Sequence, residues 1–215
     1  MARAPKDQIP DITIGRFPKY LAVARALAEQ DWDYITSSDM ARACDMHEVL
    51  VRKELARTGV VGRKHRGFRI HDLIKAIERI IAWTTPRDAV VVGTGPTASL
   101  LIHSPRITNQ GLRFVYAVSP FQNEAGGGLG DLEVVSFETF AARQAAAEKP
   151  VRLAALASRF STAQHDTDML VASGVKAIWN FTAATLAVPP DVKVVDSDLN
   201  PGLAVLCNSL RLAGV

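Results

Sequence analysis

A short β-branched run that leads straight into a glycine turn limits the possible folds of this chain more than any other feature. Residues Ala89–Val92 are apolar throughout, which is typical of a strand buried on both faces of a parallel sheet. Gly93 and Gly95 follow directly, and Ala98 completes a Gly-x-Gly-x-x-Gly/Ala pattern before a segment that can be helical. Strand, glycine turn and helix in this order predict a dinucleotide-binding βα unit.

The glycine turn also contains the residues that we expect to hold a pyrophosphate. Gly93 allows the tight turn, Gly95 lets the backbone approach a phosphate, and Ala98 lets the helix pack on the strand. The same pattern is compatible with a tight turn that holds no ligand. The candidate cofactor residues here are Gly93, Thr94, Gly95, Pro96, Thr97 and Ala98.

A serine follows the second predicted strand, at the place where NAD-binding folds commonly have an acid that bonds the ribose hydroxyls. The strand spans Leu112–Val118, and Ser119 comes next. Serine has no carboxylate, and no arginine adjoins it in the sequence to bind a 2′-phosphate. Three alternatives therefore stay open at Ser119: NAD(H), a phosphorylated dinucleotide, or no dinucleotide.

Strand-like and helix-like segments alternate over residues 88–201. This alternation predicts an α/β domain with a doubly wound, Rossmann-like parallel sheet. Residues 202–215 read as a final helix with leucine and valine on more than one side, at Leu203, Val205, Leu206, Leu210 and Leu212. A helix of this kind packs on two sides, so we predict that it dimerises the chain.

Positive charge is concentrated in the first 82 residues, which we predict to be a separate domain joined by a linker over 83–87. They hold 15 Lys or Arg against 11 Asp or Glu, whereas the remaining residues hold 10 against 11. From Val49 to Ile70 seven cations accompany one acid, Glu54. A charge run alone is equally compatible with a solvated helix and a basic loop.

The order of segments around this run favours DNA binding. A short helix, Asp39–Cys44, a tight turn and a second helix from His47 form a helix-turn-helix, and we expect Leu50, Val51 and Leu55 to face inward. Residues Gly59–Ile70 are predicted to form a basic hairpin, so the domain is a winged form. Such a helix enters the major groove while the hairpin lies along phosphates.

A further arginine, Arg16, lies near the start of the first predicted helix, Thr13–Gln30, where it could reach a phosphate or simply face solvent. The candidate DNA-binding residues are Arg16, Arg52, Lys53, Arg57, Arg63, Lys64 and Arg66.

The bulk composition excludes several classes of protein. Of the 215 residues 48% are hydrophobic and 22% are charged, which is ordinary for one or two globular domains. Two cysteines, Cys44 and Cys207, make no disulfide framework, and no Cys/His cluster suggests a metal site. No long apolar run or signal peptide is visible, so we expect no membrane partner and a cytoplasmic location.

Several stretches taken together resemble one family. They are Val51–Leu55 (VRKEL), Gly59–Phe68, Gly93–Ala98, Gly174–Phe181 (GVKAIWNF) and Asp198–Leu199. Over residues 9–215 the chain resembles the Rex-type redox-sensing transcriptional repressors. The resemblance implies a homodimer with an N-terminal winged helix, a C-terminal Rossmann domain and a C-terminal helix exchanged between subunits. Such repressors bind double-stranded operator DNA when NAD⁺ prevails and release it when NADH binds.

The resemblance also assigns roles to residues. It implies that Arg52 and Lys53 act in the recognition helix, that Arg63, Lys64 and Arg66 are wing cations, and that Arg16 contacts the DNA backbone. It places Asn180, Phe181 and Thr182 near the nicotinamide, and it puts Ser119 where the family has a ribose-binding Asp.

Two alternatives to a Rex-type sensor stay open. The first is a repressor with lost or altered nucleotide specificity, which is suggested by the serine at position 119. The second, remote alternative is an NAD(P)-dependent dehydrogenase. His103 and His165, the only histidines beyond the first domain, have no identifiable catalytic partner in the sequence, so we expect no enzymatic activity.

Overall fold

The chain forms two compact units, Met1–Thr85 and Pro86–Val215. The computed structural model describes residues 9–121, 124–198 and 200–213. The first eight residues of the predicted DNA-binding domain and Leu199 of the family-like stretch lie outside this described part. The two units divide between Thr85 and Pro86, and the first strand of the second unit already begins at Arg87.

The N-terminal unit is a small helical domain with one two-stranded sheet. Its elements are α1 (Asp11–Ile14), α2 (Phe17–Ala28), β1 (Tyr34–Ile35), α3 (Ser37–Cys44), α4 (Glu48–Ala56), β2 (Phe68–Arg69) and α5 (Ile70–Ile80). Strand β1 pairs antiparallel with β2. The buried core comes from one face of each longer helix and includes Phe17, Tyr20, Leu21, Met40, Val51, Leu55, Leu73 and Ile77. This is the winged helix-turn-helix arrangement that the sequence predicted.

Two helix boundaries in this unit differ from the prediction. The first helix is not continuous over Thr13–Gln30, because it ends at Ile14 and starts again at Phe17. Helix α3 begins at Ser37 rather than Asp39. Thr36 caps it, since the extended backbone of Thr36 lets its hydroxyl accept a hydrogen bond from the Asp39 amide at 3.1 Å.

The C-terminal unit is built around a seven-stranded sheet. Its elements are β3 (Arg87–Val92), α6 (Pro96–His103), α7 (Pro105–Thr108), β4 (Leu112–Ser119), β5 (Gly128–Leu129), β6 (Leu132–Ser136), α8 (Phe137–Ala146), β7 (Leu153–Leu156), α9 (Ala163–Ala172), β8 (Ala177–Asn180), β9 (Lys193–Asp196) and α10 (Asn200–Ala213). The strand order is β5-β6-β4-β3-β7-β8-β9, and only β5 runs antiparallel. The six parallel strands have the order of a Rossmann fold, as predicted.

The strand order reverses direction beside β3. From β3 the chain proceeds outward through β4 and β6, and then crosses back to β7 on the other side of β3. The loops after β3 and β7 diverge at this point and leave a crevice at the carboxyl ends of the strands. Gly93 sits at the junction with a φ of 107°, and a Cβ there would come within 2.7 Å of the Ala157 carbonyl oxygen. Glycine is required at position 93 on both counts.

Helices cover the two faces of the sheet unequally. On β3, Val90 and Val92 face the helices α8 and α9, whereas Ala89 and Val91 face α6. Residues 181–192, all of which the structure describes, connect β8 to β9 without a helix. On the α6 face, an apolar groove of about 280 Å³ therefore lies along β7, β8 and β9, lined by Leu112, Leu153, Ala177, Ile178, Trp179, Lys193 and Val195.

Helix α10 is exposed along Asn200–Leu212, with five large apolar side chains in solvent: Leu203, Val205, Leu206, Leu210 and Leu212. Within residues 9–121, 124–198 and 200–213, no helix has both the length and the hydrophobicity that crossing a bilayer requires.

Candidate DNA-binding surface and nucleotide cleft

Helix α4 presents a face of cations to solvent. Arg52, Lys53 and Arg57 are exposed, while Val51 and Leu55 are fully buried beneath them. Within the described part of the chain, none of these three cations forms an ion pair. Their charges are therefore available to phosphates or base edges.

The inward face of α4 differs from the prediction at one position. Leu50 was expected to be buried, but its side chain is exposed. The third inward residue of α4 is Glu54, which is only 3% exposed. Val51, Glu54 and Leu55 follow the i, i+3, i+4 spacing of one helix face, and Leu50 lies beside that face.

Glu54 accepts three hydrogen bonds inside the N-terminal unit. The donors are Thr13 Oγ1 at 3.1 Å, Tyr20 Oη at 2.5 Å and Arg16 Nη1 at 2.5 Å. Burial and the neighbouring Glu54 carboxylate raise the pKa of the Tyr20 hydroxyl well above its usual range. The single acid of the basic stretch is thus buried, so every charged side chain that the stretch exposes to solvent is a cation.

Arg16 takes part in this network. Its guanidinium binds Glu54 and is 30% exposed, so it ties the start of α2 to the recognition helix α4. Arg16 keeps a partly solvent-facing guanidinium, and the phosphate contact stays a prediction.

The predicted basic hairpin is shorter than expected. The wing turn, residues 63–67, closes with one bridge, in which the Arg63 amide donates to Gly67 O at 2.7 Å and the Gly67 amide donates to Arg63 O at 3.0 Å. The following strand, β2, pairs with β1 at Tyr34–Ile35 rather than with the other side of the wing turn. The side chains of Arg63, Lys64 and Arg66 are exposed on this turn.

Tyr34 positions two of the wing cations. The guanidinium carbons of Arg63 and Arg66 lie 5.4 and 5.8 Å from the centroid of the Tyr34 ring, within cation–π range. Sequence reasoning missed this residue because its partners are about 30 positions away along the chain. The only available signal was a pair of aromatic residues, Trp32 and Tyr34, in an otherwise mostly polar segment.

A cleft of about 210 Å³ lies at the switch point of the sheet, and we call it the switch-point cleft. Its lining residues come from the turn after β3, the loop after β4 and the loop after β7: Gly93, Thr94, Gly95, Pro96, Thr97, Pro120, Phe121, Glu124, Ala157, Ser158 and Arg159. Five of the six residues of the predicted glycine turn therefore share one cleft. The sixth, Ala98, is fully buried beneath it, where helix α6 packs on the sheet.

Gly95 is open to the cleft. Its φ of −75° suits any residue, and a Cβ built there meets no atom within 4 Å. Neither backbone conformation nor packing within the described chain demands glycine at this position. The space above Gly95 would let a phosphate approach the backbone closely, and that contact stays a prediction.

A carboxylate lies beside Ser119, but it belongs to Glu124 in the following loop. Ser119 is 1% exposed, and its hydroxyl donates to Glu124 Oε2 at 2.5 Å and accepts from the Phe121 amide at 3.1 Å. Thr94 Oγ1 donates to the same Glu124 oxygen at 2.8 Å. These two hydroxyl donors lower the pKa of Glu124, so the carboxylate is ionised at neutral pH.

An arginine also reaches this part of the cleft, although none adjoins Ser119 in the sequence. The Arg159 guanidinium lies 4.9 Å from the centroid of the Phe121 ring. Its positive charge contributes to the lowered pKa of Glu124. The structure thus places one anion and one cation near the end of β4, where the sequence suggested neither.

The three residues predicted at the nicotinamide end are not among those that line the cleft. Asn180 Nδ2 donates to Ala184 O and to Asp196 Oδ1, each at 2.8 Å, and Asn180 Oδ1 accepts from the Thr182 amide and hydroxyl. Phe181 packs against Trp179 with ring centroids 4.6 Å apart. These side chains hold the turn after β8, and contact with a nicotinamide stays a prediction.

The two histidines of the C-terminal unit lie elsewhere. His103 Nδ1 is 2.8 Å from the Ser99 carbonyl oxygen, its ring faces Gly130, and neither His103 nor His165 lines the switch-point cleft. Among the described residues, no group of three or more His, Cys, Asp or Glu side chains could hold a metal ion.

Comparison with known proteins supports both units. The family model described as "Putative DNA-binding protein N-terminus" matches residues 8–56. The redox-sensing transcriptional repressor Rex of Treponema denticola is 28% identical over 202 residues, covering 94% of this chain and 95% of the relative. Rex of Chloroflexus aggregans is 30% identical over 188 residues, covering 87% of this chain and 88% of the relative.

The chain belongs to the Rex family of redox-sensing transcriptional repressors.

Solved Rex structures have the same fold. The Rex-family repressor RSP aligns with a TM-score of 0.83 at 23% identity, over 95% of this chain and 94% of RSP. RSP in complex with β-NAD⁺ and operator DNA aligns with a TM-score of 0.82 at 22% identity, over 95% and 93% of the two chains. The winged helix therefore precedes the Rossmann sheet in this chain as it does in the solved Rex repressors, and the alignments cover 95% of the chain.

Proposed function

We propose that this Rex protein binds operator DNA through its N-terminal unit and releases it when NADH binds in the C-terminal unit. The observation that carries the proposal is the sorting of charge on the helix-turn-helix. Arg52, Lys53 and Arg57 point to solvent without ion pairs among the described residues, while Glu54 is buried. A surface that exposes its cations and buries its only acid favours the binding of a polyanion.

The DNA-facing residues divide into two groups. Arg52 and Lys53 on α4, and Arg57 directly after it, would lie in the major groove, where arginine can bond the edge of guanine. The wing cations Arg63, Lys64 and Arg66 would lie along the backbone, and Arg16 would add a phosphate contact from its place beside Glu54. The wing cations then contribute affinity, and the helix contributes sequence preference.

The ligand of the C-terminal unit is proposed to be NAD(H). The relatives include RSP, which has been solved with β-NADH and with β-NAD⁺ plus operator DNA. In this chain the glycine turn, the open Gly95 and the buried Ala98 would form the pyrophosphate end of such a site, since the turn lines the cleft and leaves space above Gly95. We propose regulation rather than catalysis as the role of the bound nucleotide, with the protein acting on DNA in the cytoplasm.

The chain is proposed to act as a homodimer. The apolar groove along β7, β8 and β9 and the exposed apolar side of α10 are complementary in character, since the groove is lined mostly by apolar residues and the helix exposes large aliphatic side chains. A helix exchanged between two copies would cover both surfaces at once. A twofold dimer also matches a palindromic operator, because each copy can then read one half-site.

The test of this function is release of DNA by the reduced nucleotide. The chain should bind a duplex carrying a palindromic operator, and NADH should lower its affinity at least about tenfold more than NAD⁺ does, because a ligand shifts an equilibrium only by its differential affinity for the two states. Fluorescence anisotropy measures the binding, and sedimentation of the same sample should give two chains per duplex. Equal affinity with both nucleotides would contradict redox sensing.

Arg52→Ala is expected to cost roughly 1–3 kcal/mol of operator binding and to relax sequence preference, if Arg52 bonds a base edge. The measurement is the ratio of operator to random-sequence affinity at one salt concentration. Lys75→Ala, which removes an exposed cation from α5, is the control for net charge. An equal loss of affinity on operator and random DNA would reduce Arg52 to a phosphate contact.

A further inference from the structure

One oxygen of the Glu124 carboxylate accepts hydrogen bonds from the protein, and the other is left to accept a hydrogen bond from a ligand. Ser119 and Thr94 both donate to Oε2, at 2.5 and 2.8 Å. No hydrogen-bond donor among the residues that the structure describes reaches Oε1. Because Glu124 lines the switch-point cleft, Oε1 is placed to accept a hydrogen bond from a ligand there.

Ser119 supports this carboxylate and has no proton left to donate to a ligand. It is buried, its only proton goes to Glu124, and its oxygen accepts from the Phe121 amide. Ser119 therefore joins the end of β4 to the loop that carries Glu124. The role that an acid at the end of the strand would have has moved to a residue five positions later in the loop.

We propose that Glu124 is the residue that selects the nucleotide, and that it favours NAD(H) over NADP(H). The inference rests on the proposed function, since it names the specificity of the same cleft. A fixed carboxylate accepts hydrogen bonds from the free hydroxyls of an adenosine ribose, and such bonds to a charged acceptor are strong. A ribose that carries a 2′-phosphate brings a second anion to the same place, and the two charges repel.

Arg159 sets the opposite preference in the same cleft. Its guanidinium stacks on Phe121 and interacts electrostatically with Glu124, so it is held near the end of β4. Arginine binds phosphate well through its planar set of donors. While Glu124 is charged, it offsets this attraction. When Glu124 is neutral, Arg159 favours the phosphorylated nucleotide.

The experiment is calorimetric titration of the full-length protein, and of four variants, with NADH and NADPH. Glu124→Gln keeps the shape and removes the charge; NADH affinity should fall roughly tenfold or more, and NADPH affinity should rise. In the double variant Glu124→Gln with Arg159→Ala, the gain for NADPH should disappear. Glu148→Gln removes an exposed acid that follows the end of α8 and does not line the switch-point cleft, so it should leave both affinities unchanged.

Ser119→Ala separates positioning from charge. It removes one donor to Oε2 but leaves the carboxylate, so NADH affinity should fall while NADPH affinity does not rise. This variant also keeps the proposal testable if Glu124→Gln proves poorly folded, which circular dichroism reports.

Two outcomes overturn the inference in distinguishable ways. If the wild type binds NADH and Glu124→Gln keeps the wild-type ratio of NADH to NADPH affinity, Glu124 does not select the nucleotide and the proposed function stands. If the wild type binds neither NADH nor NADPH, the proposed ligand fails and the inference falls with it.

Discussion

Glu54→Ala is expected to destabilise the N-terminal unit by about 3 kcal/mol or more, the largest effect of any single substitution considered for this chain. The substitution leaves the hydroxyls of Thr13 and Tyr20 buried without their acceptor, and each such group costs about 1–3 kcal/mol. It also removes the partner of Arg16, whose guanidinium is mostly buried. Native-state hydrogen exchange of α2 and α4 measures the loss within this unit alone.

The matched control for this substitution is Glu29→Ala. Glu29 is an exposed acid just beyond the end of α2, so its removal should change stability by less than about 0.5 kcal/mol. A loss below about 1 kcal/mol for Glu54→Ala would mean that Arg16, Tyr20 and Thr13 find other partners, and that the network does not hold α4 in place.

Gly67→Ala is expected to destabilise the wing by at least about 2 kcal/mol and to weaken DNA binding. Gly67 has a φ of 83°, where a side chain costs roughly 1–2 kcal/mol. A Cβ there would also overlap the Ile35 carbonyl oxygen and lie 2.8 Å from Thr36 Cα, so β1 and the wing turn would have to separate. Thermal unfolding and operator titration measure the two effects.

Two other glycines serve as controls for Gly67. Gly59→Ala tests the cost of conformation alone, because Gly59 has a φ of 76° and a Cβ there meets no atom within 4 Å. Gly62→Ala should be nearly neutral, since its Cβ would lie at an ordinary 3.5 Å from Gly67 O. If Gly67→Ala costs no more than Gly59→Ala, the contact with Ile35 does not constrain the wing.

The glycine turn was predictable because its determinants are local. A buried strand, two glycines and a small residue act within ten positions, and the structure places them as the spacing indicated. The Rossmann strand order follows from the same alternation along the chain. In the N-terminal unit, Val51 and Leu55 could be placed inward because apolar periodicity reports helix faces directly.

The determinants that sequence reasoning missed act at a distance. Burial of Glu54 was not predicted, because apolar periodicity cannot show that Thr13, Arg16 and Tyr20 converge on it from the first helical segments of the chain. The sequence predicted a wing hairpin within Gly59–Ile70, but the strand that follows the wing turn pairs with Tyr34–Ile35 instead. Glu124 and Arg159 meet only because β4 and β7 flank β3, so that the loops after both strands border the same cleft.

The position of Tyr34 has a consequence for the entropy of binding. Flexible arginines lose conformational freedom when a duplex fixes them, at about 0.5–1.5 kcal/mol for each immobilised side chain. Arg63 and Arg66 already lie against the Tyr34 ring, so part of their freedom is lost when the unit folds rather than when it docks. If the wing contacts DNA as proposed, it meets the duplex preorganised, and its two arginines retain more of their contact energy as affinity.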